Sequence, residues 1–315
     1  MANSFPMLRL PLIVMEKTIR LMDVSDQYNM AAISKRGQKL VRLFLSRDTF
    51  KVVYCFLQTL SIHIRNRKTH GLLKISMENP TPEEYVDMES LERHIECLEK
   101  VFQPESTDLV FRTKRPPGLE ARLIPVFEKY LVITKLIVYP LIDQPKTEPA
   151  DELYLYILKK CCKISCLYIN LETTADFKVP VSECSNFSCD TLSLDGAHWV
   201  TGDHFVNNFK NVKDIDICGH SVNPKEANKF IKSWISGCRI ESASWYCFET
   251  GTRLRYVFRS IDAIEIREVY FDPTSVTRFE EGKAFVVKQP DGKEAIVYES
   301  RNQLHLDTKF TRVSE

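Results

Sequence analysis

Residues 203–248 read DHFVNNFKNVKDIDICGHSVNPKEANKFIKSWISGCRIESASWYCF, and the spacing of apolar residues in this stretch decides the fold class. Asp203–Phe209 has helical spacing. Val212–Cys218 alternates apolar and polar side chains, the period of a half-buried strand. In Lys225–Ile235, Ala227, Phe230, Ile231 and Trp234 fall on one face of a helix, which makes Trp234 a core residue. Gly237 follows, and glycine just past a helix end takes the left-handed conformation cheaply. Glu241–Tyr246 then reads as a second strand. Trp245 and Tyr246 are neighbours on it, so they point to opposite sides. One of them is expected on an exposed binding surface, where aromatic side chains are enriched.

The same alternation continues outward. Lys135–Tyr139, Ser165–Leu171, Thr191–Asp195 and Ala263–Val269 are further candidate strands, and Asp151–Lys160 is a further helix. One inward residue in each of the last five strands (Ile169, Leu194, Ile217, Ser244, Ile266) gives steps of 25, 23, 27 and 22 residues. A repeat of that length, built as strand, turn and helix, is the signature of a leucine-rich-repeat-like solenoid. Regular leucines and an asparagine ladder are missing, so the expected array is irregular. The alternative is an ordinary α/β domain with even spacing. At the C-terminus, Ala284–Gln289 and Glu294–Glu299 flank Pro290-Asp291-Gly292, and Asp-Gly is a strong signal for a tight hairpin turn. Gln303–Leu306 is a candidate third strand.

Toward the N-terminus, Leu60, Ile62 and Ile64 alternate with Ser61, His63 and Arg65 as a strand, with His63 outward. Leu72–Met77 forms its partner across His70-Gly71. Met88–Phe102 places Leu91, Ile95, Leu98 and Phe102 on one helical face. Leu119–Leu131 is a second helix, with Pro125 inside it as a possible kink. Residues 8–45, LRLPLIVMEKTIRLMDVSDQYNMAAISKRGQKLVRLFL, divide into about three short helices. The first opens at Pro11, where a missing amide donor is harmless. Asp23 with Asp26, and then Ser34, supply oxygen caps for the second and third. The first helix is apolar on two sides. Leu10, Ile13, Val14, Leu21 and Met22 form one face, and Leu12, Met15 and Ile19 a second. A module of about forty residues is too small to cover both. One face therefore packs on the chain's own helices and the other on something else, unless the helices simply pack into the main domain.

Two family resemblances follow from these residues. Leu10-Pro11, Ile13-Val14, Ile19, Met22-Asp23, Asp26, Tyr28, Ser34-Lys35-Arg36 and Leu40-Val41 resemble the F-box. Gln27, Tyr28 and Met22 depart from its usual leucines, and its late tryptophan is absent. Phe205, Ile215-Asp216-Ile217, Asn228, Phe230-Ile231-Lys232, Trp234-Ile235 and Gly237 resemble the type 2 F-box-associated domain of a nematode-expanded family, which commonly ends in an Asp-Gly hairpin. The resemblance implies an α+β or α/β chain. It would have a small three-helix F-box over residues 5–46, followed by an irregular leucine-rich-repeat-like α/β substrate-binding domain over 50–315. Residues 189–250 would be the F-box-associated core of that domain, and 284–299 the closing hairpin. It also implies a non-catalytic subunit that binds a Skp-type adaptor and, through it, a cullin-based ubiquitin ligase, while holding an unknown target protein. The adaptor contact would be Leu10, Pro11, Ile13, Val14, Ile19, Met22 and Tyr28, with Leu40 and Val41 supporting it. The rival is a stand-alone interaction module whose F-box serves only folding.

Composition agrees with a globular chain: 315 residues, 44% hydrophobic and 27% charged. A formal net charge of +1 provides no general attraction to nucleic acid or an acidic membrane. Short basic groups such as Arg65-Asn66-Arg67-Lys68 read as solvated surface. The apolar start is interrupted by Arg9 and two prolines and lacks a small-residue cleavage site, and no run reaches a membrane span. The expected location is therefore intracellular, cytoplasmic or nuclear. Ten cysteines in a reducing compartment read as buried thiols, because Cys161, Cys162, Cys166, Cys184 and Cys189 lack paired zinc spacing. No phosphate loop, dinucleotide fingerprint, nucleophile elbow or zincin motif occurs, and no cofactor is expected. A metal-dependent hydrolase built on Asp195, His198, Asp203, His204 and His220 is the reading from a different class. Its spacing matches no known site.

Overall fold

The computed structural model describes residues 10–45, 49–56, 60–68, 70–77, 87–113, 119–140, 150–219, 223–246, 254–301 and 303–313. It is a mixed α/β protein that divides into two compact units, residues 1–137 and 138–315.

The first unit opens with three helices, α1 (Leu12–Leu21), α2 (Val24–Ile33) and α3 (Lys35–Leu45). The expected caps form. Asp23 accepts a hydrogen bond from the Asp26 amide at 2.8 Å, and Ser34 Oγ accepts one from the Gly37 amide at 3.0 Å. Pro11 is the cap of α1, one residue before the helix, and its carbonyl accepts from Val14 and Met15. Gln27 is buried, and its Nε2 donates to the carbonyls of Ile19 at 3.0 Å and Met22 at 3.1 Å. This polar departure from leucine therefore satisfies acceptors that the end of α1 leaves open.

Strands β1 (Phe50–Phe56), β2 (Leu60–Asn66) and β3 (Leu72–Met77) follow, then α4 (Met88–Phe102), β4 (Ser106–Thr113), α5 (Leu119–Tyr130) and β5 (Ile133–Pro140), where the units divide. The two helices expected here form, and Pro125 sits inside an otherwise continuous α5. Neither β1 nor β4 is marked by the sequence pattern. KVVYCF is a nearly unbroken apolar run, and period alone does not identify such a run as a strand. β1 pairs antiparallel with β2 and parallel with β4. Its Phe50, Val52, Tyr54 and Phe56 are buried. Phe50 meets Phe102 of α4 at 4.8 Å, and Tyr54 meets Phe127 of α5 at 4.6 Å.

The second unit contains α6 (Asp151–Lys160), β6 (Cys166–Asn170), β7 (Thr191–Asp195) and α7 (Gly202–His204), which runs into a π-turn over Phe205–Phe209. β8 (Asp214–Ile217), α8 (Pro224–Ile235) and β9 (Ser242–Tyr246) follow. β6 to β9 are parallel neighbours, with Ile169, Leu194, Ile217 and Trp245 in register. This corrects two expectations. The inward residue of β9 is Trp245 and not Ser244. The strand expected at Ala263–Val269 does not extend the array. Its Ile264–Glu265 forms β10, which pairs with β13 (Ala284–Lys288), and β11 (Glu268–Asp272) starts a separate sheet with β12 (Ser275–Arg278) and β16 (Thr311–Arg312). The place beside β9 goes to β15 (Gln303–Asp307), antiparallel, followed by β14 (Glu294–Ser300) and β13. The repeating part is thus four parallel strands closed by an antiparallel meander. The foreseen hairpin is β13–β14, and Gly292 in its turn has a positive φ of 96°.

Packing behind the parallel strands depends on α7, the π-turn and α8. Phe205 lies 4.5 Å from both Phe230 and Trp245, ring centre to ring centre. At Gly202 a Cβ would stand 2.6 Å from the Glu226 carbonyl, so only glycine lets α7 approach α8 this closely. Asn223 caps α8 by accepting from the amides of Lys225 at 2.9 Å and Glu226 at 3.0 Å. Asn223→Ala is expected to lower unfolding free energy by about 0.5–2 kcal/mol, read from the urea midpoint. Asn223→Asp should restore most of it, and an unchanged alanine midpoint would refute the assignment.

No helix among the described residues is long and apolar enough to cross a membrane.

Candidate interaction surfaces

α1 presents the two faces anticipated from its sequence. Met15 and Ile19 are buried against the chain's own helices. On the outside, Leu12 and Val14 are exposed, with Ile13 at 66% and Leu21 at 86%. Exposed side chains of this size in one short helix exceed the scattered apolar residues normal for a surface. The nine residues expected at the adaptor contact divide by depth. Pro11, Ile13 and Val14 are exposed, Leu10, Met22 and Leu40 are half-buried, and Ile19, Tyr28 and Val41 are buried. The last three hold the helices together and do not reach the surface. The Tyr28 hydroxyl and Nδ1 of His94 on α4 share a hydrogen bond at 2.5 Å. Burial pushes the Tyr28 hydroxyl up to about 12 and holds His94 below the usual histidine value, so the pair stays neutral. Leu12, expected on the face of Met15 and Ile19, is instead exposed.

In the second unit, alternate residues of β6–β9 and β15 face away from the helices. One residue per strand lines up across the sheet: Tyr168, Ser193, Asp216, Ser244 and His305. Asp195 and Tyr246 lie on the same face, toward the other ends of their strands. Trp245 is buried, while Tyr246 is 44% exposed. Of the two aromatic candidates, Trp245 therefore belongs to the core, and Tyr246 is the one available at the surface. The alternation D-I-D-I at 214–217 and Q-L-H-L-D at 303–307 carried the signal for this face, but it marks the exposed residues only once the strands are placed side by side.

The described residues of the metal reading do not converge. His204 Nδ1 accepts from the Thr201 amide at 3.1 Å, and its Nε2 donates to the Val179 carbonyl at 2.9 Å. Both ring nitrogens are thus engaged in capping α7 and tethering a loop. Burial lowers its pKa, which keeps the ring neutral. Asp203 pairs with Lys229 at 2.9 Å, and His220 lies outside the described residues. Among the described residues, no group of three His, Cys, Asp or Glu side chains is arranged to hold a metal. Cys161, Cys184 and Cys189 are buried. Burial pushes the Cys184 and Cys189 thiols up to about 12, so both are protonated at neutral pH.

These features define a mixed α/β protein whose prominent described surfaces are an apolar helix face and an open sheet face. Residues 183–241 match the family described as F-box associated. The match spans β7, α7, the π-turn, β8 and α8, and contains the residues that carry the resemblance, so this segment is similar to F-box-associated domains. Over 84 residues the chain is 29% identical to the Skn-1 dependent zygotic transcript 15 protein of Caenorhabditis elegans, covering 27% of this chain and 24% of that protein. The chain thus spans about a quarter of the length of the curated relative it matches. No solved structure matches it.

Proposed function

We propose that this chain is a non-catalytic receptor subunit of a Skp-cullin-F-box ubiquitin ligase. In this reading α1–α3 form the F-box, and the outer face of α1 docks a Skp-type adaptor. The unit of residues 138–315 holds a target protein, and ubiquitin transfer takes place on other subunits. The observation that carries the reading is the division of α1: Met15 and Ile19 seal it to its own helices, while Leu12, Ile13, Val14 and Leu21 remain uncovered. The F-box-associated match at 183–241 supports the same assignment, since such domains follow an F-box. Holding a target beside the transfer machinery raises its effective concentration to the millimolar range. Co-expression with a Skp-type adaptor followed by size-exclusion chromatography tests the reading. Co-elution that Ile13→Asp abolishes is expected. A soluble chain that ignores the adaptor would refute it and leave a stand-alone interaction module.

A further inference from the structure

The five strands β6, β7, β8, β9 and β15 bury one side and open the other. Leu167, Leu192, Ile215, Ala243 and Leu306 are among the side chains sealed on the helix side. The open side is polar and carries Asp195, Asp214, Asp216 and Asp307. None of these five strands contains a lysine or an arginine. The one basic residue on them, His305, is held below the usual histidine value by burial. Burial, and then the neighbouring Asp216, pushes Asp195 above the usual carboxylate range. Burial raises Asp307 as well; the amide and ammonium of Lys309, just beyond the strand, lower it, and Asp214 adds to the rise. The face therefore holds crowded negative charge with no strand cation to balance it.

Aromatic groups accompany the charge. Tyr246 is exposed on this face. At the β15 side, Tyr298 stacks on His305 at 4.8 Å. Tyr298 also meets Phe271 at 5.2 Å and Phe279 at 5.3 Å from the small sheet, which closes the face on that side. From β6 to β15 the face spans roughly 19 Å at the usual strand spacing, the reach of about six extended residues.

We propose that this sheet face is the target-holding surface, and that it receives an extended protein segment rich in lysine or arginine. Guanidinium and ammonium groups match the carboxylates, and arginine does so through paired hydrogen bonds. The tyrosine ring offers a further seat for a cation. A carboxylate-lined face repels nucleic acid and anionic lipid, which leaves a basic protein segment as the complementary occupant. The proposal rests on reading residues 138–315 as the target-holding unit.

Fluorescence anisotropy on the full chain tests it. The probe is a fluorescein-labelled twelve-residue peptide of alternating arginine and serine, with a glutamate–serine peptide as comparison. The basic peptide is expected to bind at least about tenfold tighter, and more weakly as salt rises. Asp195→Asn with Asp216→Asn should weaken it by on the order of tenfold. Asp203→Asn, on the helix side of the sheet, should leave it within about twofold. Equal binding of the two peptides, or an equal loss in Asp203→Asn, would overturn the proposal. Asparagine preserves side-chain shape, and a matching thermal transition of the double variant verifies that its fold is intact. Failure here with adaptor co-elution retained would sink this surface alone. Loss of adaptor binding with peptide binding retained would sink only the ligase assignment.

Discussion

Ile13→Asp is expected to remove adaptor binding without unfolding the chain. Ile13 is exposed in the first turn of α1, so the substitution disturbs no core. A carboxylate in a first helical turn also complements the helix dipole, a favourable effect of about 0.3–1 kcal/mol. Binding responds the other way. Covering an isoleucine contributes about 1.5–3 kcal/mol, and burying an unpaired carboxylate at the interface adds a further penalty. Together they amount to roughly 3–5 kcal/mol, a loss of at least on the order of a hundredfold. Leu21→Lys extends the test to the other end of the helix, where a cation suits the dipole, and should give a comparable loss. Ile13→Leu should bind as the parent does. A purified Ile13→Asp chain with the parent's circular dichroism that still co-elutes with the adaptor would rule out this face as the contact.

Trp234→Ala is expected to produce the largest loss of stability in the second unit. Trp234 is fully buried on α8, and its Nε1 donates to the Ile240 carbonyl at 3.0 Å. Its own carbonyl accepts from Gln289 Nε2 at 2.7 Å, which ties the end of α8 to the β13–β14 hairpin. Removing the indole leaves a cavity that costs about 3–5 kcal/mol and takes away the shorter of two hydrogen bonds to the Ile240 carbonyl, which keeps Lys293 Nζ at 3.4 Å, a further loss of about 0.5–1.5 kcal/mol. Against a typical total of about 5–15 kcal/mol, that loss removes a large share of the stability. Trp234→Phe fills most of the space and loses mainly the hydrogen bond, so it should fall well short of the alanine effect. Urea unfolding followed by circular dichroism distinguishes them. Equal midpoints for Trp234→Ala and the parent would contradict this account of the core.

Local chemistry was readable wherever one short segment settles its own structure. The caps at Asp23 and Ser34, the one-sided helices Met88–Phe102 and Pro224–Ile235 and the Asp-Gly hairpin all follow from side chains within a few residues of one another. So does the two-faced character of α1, because helical spacing alone sorts its apolar residues. Gln27 illustrates the limit. In the sequence it is a departure from leucine, and only the folded junction of α1 and α2 shows it donating to the carbonyls of Ile19 and Met22.

The sequence by itself determined the alternation of strands and helices, the resemblance of the segment around residues 205–237 to the F-box-associated family and the apolar excess of the first helix. Each is written in local spacing and in residues that act near one another along the chain. Tertiary structure alone decided which strands are neighbours. Even spacing suggested that the strand at Ala263–Val269 continues the parallel array, yet β15 lies beside β9. A strand's edge can be satisfied by any partner with free amides and carbonyls, and local spacing does not choose among them. Tertiary structure also decided that Ile19, Tyr28 and Val41 are inside, that Trp245 is core while Tyr246 is exposed, and that distant aspartates share one face. Burial and shared charge depend on segments far apart in sequence coming together, and no single stretch of the chain contains that information.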